Sequence, residues 1–459
     1  MIRFLEQLIV ATWNRLMRRR RGAWNERGET NLGFKVVDEQ VTRYRVPISN
    51  VRRTMHLAIL GKTGSGKSSL LRHLAAQDVE ADRGFVYFDI HGDATPFLLG
   101  TINARERREH RHLDERLVLI EPADPIMSVG LNPLEQESPD FVRIAEVGEV
   151  LRWRWGLDHF GARTDELLRN ALYVLAANGL TLVELRHLLT NGSFRSTSLQ
   201  RVDNAEVREY FRSRYDQASE AMRATMREPI LNKTSAFTAD PHFRHIVGQA
   251  QSTFSIRAAL DEGQWVIVNL QKGRLGSQAL TLGSLIFTAF KNGIFTRERR
   301  SLFTLYCDEM QNLLSYGGGI ETMLSEARKF GCSIVGAHQF LDQLPAELRS
   351  ALFSVGTHVL FQLSTPDAMQ MTQALDGGKT LTERLKNLPQ RHAIVKSGAD
   401  RGIEIAVPTV HEPKVDYTDL FNRARYTRGR VRAHIERDIA KRTESFVETP
   451  KEQAHEKEW

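Results

Sequence analysis

Met55-His56-Leu57-Ala58-Ile59-Leu60-Gly61-Lys62-Thr63-Gly64-Ser65-Gly66-Lys67-Ser68 runs from an apolar stretch into a glycine turn and on to Lys-Ser. The apolar part reads as a short buried strand. Beyond Ser68, Leu70, Leu71 and Leu74 recur at helical spacing, which predicts a helix to about Gln77. A strand, a glycine loop and a helix opening on Lys-Ser form a phosphate cradle. Gly61, Gly64 and Gly66 free the backbone to aim amides at an anion. Lys67 supplies a movable positive charge, and the Ser68 hydroxyl suits Mg²⁺. The helix turns its positive end to the same phosphates. The nucleotide-binding set is therefore Gly61, Lys62, Thr63, Gly64, Ser65, Gly66, Lys67, Ser68 and Ser69, with a nucleoside triphosphate as ligand.

Working outward, the chain alternates apolar runs with helical patterns. Strands are expected at 55–60, 84–90, 117–121, 265–270, 302–308, 332–338, 358–363 and 392–397. Near-continuous apolar strands are covered on both faces. The fold class is α/β, a mostly parallel sheet flanked by helices. Residues 138–255 break the rhythm with helical patterns separated at Asn178-Gly179, Asn191-Gly192, Pro229 and Asp240-Pro241, and read as an all-α insertion. The expected organisation is 1–22 an amphipathic basic helix and 23–54 a short β lead-in. The nucleotide-binding domain then occupies 55–137 and 256–412 around the insertion, and 413–459 is a charged tail, either disordered or a solvated helix. Its cluster Arg423, Arg425, Arg428, Arg430 and Arg432 is a solvated surface or a nucleic-acid contact.

Composition narrows the classes. The 459 residues are 41% hydrophobic and 26% charged, a balance that can build a large core and excludes a disordered chain. The net charge of +7 favours a polyanionic partner. Two cysteines, Cys307 and Cys332, both in apolar runs, give neither a disulfide frame nor a zinc site. No apolar stretch reaches the roughly 18 residues of a spanning helix. The segment 1–21 places Phe4, Leu5, Leu8, Ile9, Trp13, Leu16 and Met17 on one face before Arg18 to Arg21. It docks on protein or lies at a membrane surface, so the expected location is cytoplasmic, with peripheral contact at the inner membrane.

A phosphate loop needs a carboxylate partner. Leu302-Phe303-Thr304-Leu305-Tyr306-Cys307-Asp308-Glu309 supplies two at a strand's C-terminal end, the edge where open α/β sheets bind ligands. Asp308 suits the metal and Glu309 the polarisation of water. Gln339, after the strand ending at His338, can sense a γ-phosphate. Arg328 reads as a finger reaching a neighbour's nucleotide or as a plain charge at a helix end. Asp89 in Asp89-Ile90-His91-Gly92-Asp93 orients the loop, holds metal through water or simply closes a turn.

The order GKTGSGKS, FVYFDIHGD, NPLE, helical insertion, LYCDEMQNL, LSEARKFGCSIVGAHQFLDQL and VGTHVLFQL resembles the HerA/FtsK superfamily of RecA-type motors over roughly 50–400. It is most similar to type IV secretion coupling proteins (TraG/TraD-like) and HerA-like ATPases. The resemblance implies a RecA-like fold and a hexameric ring that threads DNA and hydrolyses ATP with Mg²⁺ at subunit interfaces. It makes Lys67 and Ser68 Walker A, Asp308 and Glu309 Walker B, Gln339 the sensor and Arg328 the finger. A ring motor needs basic pore groups; the candidates are Lys272, Arg274 and Lys233. Arg152-Trp153-Arg154-Trp155 reads either as a group that stacks on bases or binds phosphate or as a buried Trp pair with snorkelling arginines. The implied role is a DNA translocase of conjugative transfer, with a relaxase or secretion channel as partner. The alternatives are a motor working with a nuclease, or a protein-export or pilus-assembly ATPase.

Overall fold

The computed structural model describes residues 28–135, 141–157, 161–314, 320–344 and 346–444. The segment 1–22 and the acidic end from 445 lie outside these. Contacts divide the chain into two compact units, Met1–Glu121 with Phe254–Arg428, and Pro122–Thr253 with Gly429–Trp459. Among the described residues no helix is long and apolar enough to cross a membrane.

The strands are β1 Glu29–Val37, β2 Gln40–Ser49, β3 Leu57–Leu60, β4 Gly84–Asp89, β5 Leu117–Ile120, β6 Met127–Val129, β7 Trp265–Asn269, β8 Phe303–Cys307, β9 Cys332–His338, β10 Thr357–Leu360, β11 His392–Ser397, β12 Ile403–Ala406 and β13 Gly429–Val431. An 11-stranded sheet of order β2-β1-β12-β11-β10-β3-β9-β8-β4-β7-β5 spans the first unit. From β10 to β5 every pairing is parallel. The wing β11, β12, β1 and β2 is antiparallel. The expected α/β class with a large, mostly parallel sheet is what the chain forms. β3, β4, β5, β7, β8 and β9 are buried along their whole length, as their continuous apolar runs require. The lead-in strands become the edge of this sheet.

Helix α1 (Asn50–Arg53) precedes β3, α2 (Lys67–Glu80) follows it, and α3 (Ala94–Glu109) follows β4. On α2, Leu70, Leu71, Leu74, Ala75 and Val79 face the core. Beneath α2 lies a buried ion pair. Arg53 donates to both carboxylate oxygens of Asp78, at 2.6 and 2.7 Å, and also to Thr30, Thr304 and Tyr306. The Tyr306 hydroxyl donates to Asp78 at 2.6 Å, and Arg83 adds a further bond at 2.6 Å. Both partners are fully buried. Burial alone would raise the Asp78 pKa, but Arg53, Arg83 and Tyr306 hold it down to about 2.

In the second unit the described part of 138–255 is helical, including Phe141–Trp155, Ala162–Ala177 and Glu220–Thr238. Pro229 was read as a break, yet it lies inside the helix Glu220–Thr238; proline removes one backbone donor, and burial of Met226, Ile230, Thr234 and Phe237 carries the helix through. Of the two readings of 413–459, disorder or a solvated helix, the described residues take the helical one, as Thr418–Arg428 and Arg432–Glu444. The first buries Leu420 and Ala424, and the second Ile435 and Ile439. Strand β13, between them, pairs with β6. The basic cluster is largely engaged: Arg423 binds Glu106 at 2.6 Å and Asp114 at 3.2 Å, Arg430 binds Asp438 at 2.5 Å, and Arg432 donates to Pro122 O.

Removing one member of the Arg53–Asp78 pair strands the other. Asp78→Asn or Arg53→Met should each cost about 3–5 kcal/mol, and Arg53→Met/Asp78→Leu together less than the sum. Because the folded pKa of Asp78 lies below its unfolded value of about 3.9, its contribution is present above about pH 4 and is lost as pH falls toward about 2. Thermal melts across pH 2–7 check both; an acid limb unchanged in Asp78→Asn would show the pair contributes nothing to it.

Candidate functional site

Parallel register brings the site together. Leu60 at the end of β3 lies beside His338 of β9, and Cys307 of β8 lies beside Gly336. Three strands therefore deliver the glycine loop, Gln339 and the acid pair to one edge. Gly64 (φ 75°) and Gly66 (φ 121°) take conformations that a side chain resists. Lys67 folds back and donates to Gly61 O at 2.6 Å and Lys62 O at 3.0 Å. Burial lowers its pKa, and Asp308 and Glu309 oppose that. Ser65 Oγ is buried with no partner among the described residues. That orphan, the loop amides and the Lys67 ammonium fit a phosphate chain.

Ser68 Oγ donates to Asp308 Oδ2 at 2.7 Å across 240 residues of sequence. Burial raises the Asp308 pKa, against the bond from Ser68 and the charge of Lys67. A hydroxyl beside a carboxylate, both hard oxygens, fits Mg²⁺. Glu309 adopts a left-handed backbone (φ 52°), uncommon outside glycine and a form of strain that clusters at functional sites. Gln339 Nε2 donates to its Oε1 and Asn312 Nδ2 to its Oε2, each at 2.7 Å. His91 Nε2 stands 3.5 Å from Oε1. Thr63 Oγ1 donates to Gln339 Oε1 at 3.1 Å, so Gln339 bridges the loop and Glu309.

Arg328 is not at this edge. It lies within the short 3₁₀ turn Ala327–Phe330 before β9 begins, near His56, whose pKa burial lowers to about 4 with a smaller push from Arg328. The seven residues of β9 separate Arg328 from Gln339, roughly 20 Å at about 3.3 Å per residue. Asp89 takes the bland reading. Its carboxylate accepts from Gly92 N, Ala94 N, Thr95 N and Thr95 Oγ1 at 2.7–3.1 Å, which fixes the start of α3. Lys272 and Arg274 sit in the short helix Lys272–Leu275 after β7, where Lys272 N–H donates to Ile90 O. Arg274 is exposed. Lys233 is exposed on Glu220–Thr238 in the second unit. Trp155 is buried against Phe237, and Arg154 lies 4.1 Å over the Trp153 ring. Trp153 itself is only half-buried, so the expected buried pair holds for Trp155 alone.

Two groups around Glu309 had no role in the sequence reading. His91 stood in the quoted His-Gly-Asp turn, but its nearness to Glu309 depends on β4 lying beside β8. Asn312 sits three residues after Glu309, a spacing that carries no signal without the 3₁₀ turn Met310–Asn312.

A family model described as the central domain of helicase HerA matches residues 35–288. The chain belongs to that family of P-loop ATPases. Among curated proteins none matches the chain significantly. Among solved structures it is similar to the bacterial conjugative coupling protein TrwB in its unbound form, with 18% identity, a TM-score of 0.59, and 84% of this chain and 96% of that one covered. TrwB has also been solved with ADP and Mg²⁺, with the same identity, TM-score and coverage of both chains. VirB4 of Thermoanaerobacter pseudethanolicus is similar at 14% identity and a TM-score of 0.53, with 84% and 98% covered. At these identities the likeness is one of fold.

Ser68→Ala should abolish the Mg²⁺ dependence of ADP affinity while leaving ADP binding in EDTA within about twofold of wild type. Calorimetric titration with and without Mg²⁺ checks it, and a Mg²⁺ effect of wild-type size in the variant would remove Ser68 from the metal site.

Proposed function

We propose that this member of the HerA central-domain family is a DNA translocase driven by ATP hydrolysis, acting as one subunit of a ring, with conjugative DNA transfer as its setting. The observation that carries the reading is the Ser68–Asp308 contact at 2.7 Å with Glu309 next in sequence. It joins a phosphate cradle to a metal carboxylate and a base, the parts that hydrolysis rather than mere binding requires.

In this reading the loop amides and Lys67 hold the β- and γ-phosphates. Ser68 and Asp308 hold Mg²⁺, which when bound neutralises phosphate charge. Glu309 orients a water and takes its proton as the water oxygen bonds to the γ-phosphorus and the bond to the bridging oxygen breaks. Gln339, bonded both to Thr63 of the loop and to Glu309, registers the γ-phosphate and transmits its loss. Arg328 lies a strand's length from its own Gln339, which leaves it available to a neighbouring protomer's nucleotide and supports a ring with shared sites. Lys272 and Arg274 are the DNA-facing candidates, because they follow the same edge of the sheet. Lys233 is a second, separate candidate. The positive net charge suits the polyanion. A relaxase or a secretion channel is the partner class this setting implies.

The ATPase rate of size-resolved oligomer should rise when single- or double-stranded DNA is added. Oligomer that hydrolyses ATP at a rate indifferent to both would redirect the reading to protein export or pilus assembly. Glu309→Gln should retain ATP binding and lose about 10²-fold or more in turnover; full turnover in that variant removes Glu309 as the base. In mixed oligomers, Arg328→Ala and Glu309→Gln subunits should recover activity at the junctions where both intact groups meet. Activity in strict proportion to each variant alone would place Arg328 outside the neighbour's site.

A further inference from the structure

Pro389-Gln390-Arg391 leads into β11 and lies beyond residues 35–288, the stretch matched by the family description. Sheet order sets β10 beside β3 and β11 beside β10. The start of β11 thus reaches the edge that carries the phosphate loop, on the flank away from β8. It is bonded to that loop. Arg391 N–H donates to Ser65 O at 2.8 Å, and Gln390 Nε2 donates to Gly64 O at 3.1 Å. A Cβ on Gly66 would lie 3.0 Å from Arg391 Cα and 3.2 Å from its Cγ.

Two features of Arg391 call for a role. Its φ of 64° lies in the left-handed region, where glycine would be at ease and an arginine is strained. Its backbone N–H and C=O are both engaged, the latter by Val407 N–H at 2.8 Å. Its guanidinium, on a half-buried residue, pairs with no carboxylate or carbonyl among the described residues. The rigid backbone anchors a cation beside Ser65 and Gly66 and leaves its donors unspent. A guanidinium offers paired donors that match two phosphate oxygens.

We propose that Arg391 is a phosphate-binding residue of the nucleotide site, contributed by the same chain and gripping the polyphosphate from the flank opposite Asp308 and Glu309. Gln390 is a positioning residue that latches this turn to Gly64. The inference rests on the reading of the loop as a nucleotide site. It divides the grip on phosphate in two. Asp308 and Glu309 serve the metal and the water, and Arg391 serves the phosphate oxygens that they do not reach.

Calorimetric titration of the full chain with Mg·ADP tests it, using wild type, Arg391→Gly, Arg391→Gln and Arg391→Lys. Arg391→Gly removes the guanidinium and relieves the backbone, so its melting temperature without ligand should equal or exceed that of wild type. The Kd for ADP should rise about tenfold or more in Arg391→Gly and Arg391→Gln, with Arg391→Lys between them and wild type. A Kd within about twofold of wild type in both Arg391→Gly and Arg391→Gln overturns the inference and leaves the nucleotide reading standing. A wild-type chain that takes up no ADP overturns both.

Discussion

The buried pair of Arg53 and Asp78 is the interaction on which the working edge of the sheet depends. Taking two charges out of water costs several kcal/mol per ion, and only close geometry and full hydrogen bonding offset that. Here the donors and acceptors come from four elements: Thr30 of β1, Arg53 of α1, Asp78 of α2, and Thr304 and Tyr306 of β8. Ser333 of β9 adds a bond to Arg53 O. Any sliding of α2 against β8 would strand a charge. The pair therefore sets the base of the helix that opens on Lys67 and Ser68 relative to the strand that ends on Asp308. Its place on the far side from the loop lets it fix this geometry without entering the site.

At the loop, burial works against charge. It lowers the Lys67 pKa and raises that of Asp308, so each needs the other and the dipoles nearby. Lys67 leans on two loop carbonyls, Asp308 on Ser68, and Glu309 on two side-chain amides. These are exchangeable partners. A phosphate chain offers Lys67 stronger acceptors than carbonyls do, and a water at Glu309 competes with the amide of Gln339. Because Gln339 also touches Thr63, a shift at the loop reaches Glu309 through one side chain. The left-handed backbones of Glu309 and Arg391 are strained points on either side of the loop, held there by their neighbours.

Much of the fold was legible because fully buried parallel strands must be apolar along their length. The strand ending on Asp308 was expected at 302–308 and is Phe303–Cys307, and that ending on His338 is Cys332–His338 as expected. Misreadings arose where distant burial overrode a local cue. Pro229 looked like a break because its effect is local, whereas the apolar face that carries the helix is tertiary. The charged C-terminal stretch looked solvated because its few apolar residues, Leu420, Ala424, Ile435 and Ile439, are spread over two helices. At Asp89, where the sequence left a functional role and a plain turn both open, four local donors decide for the turn.

By itself the sequence determined the phosphate loop, since glycines, lysine and serine at fixed spacing act within a few residues of one another. It also determined which runs are the parallel strands at the centre of the sheet, because burial on both faces leaves its mark on every position. Only the tertiary structure decided which residues from elsewhere meet that loop. Sheet order brings Asp308 to Ser68, Gln339 to Glu309 and Arg391 to Ser65, and removes Arg328 to the opposite edge. The physical reason is that strand neighbours are chosen by packing and register across the whole sheet, and chain separation carries no trace of that choice.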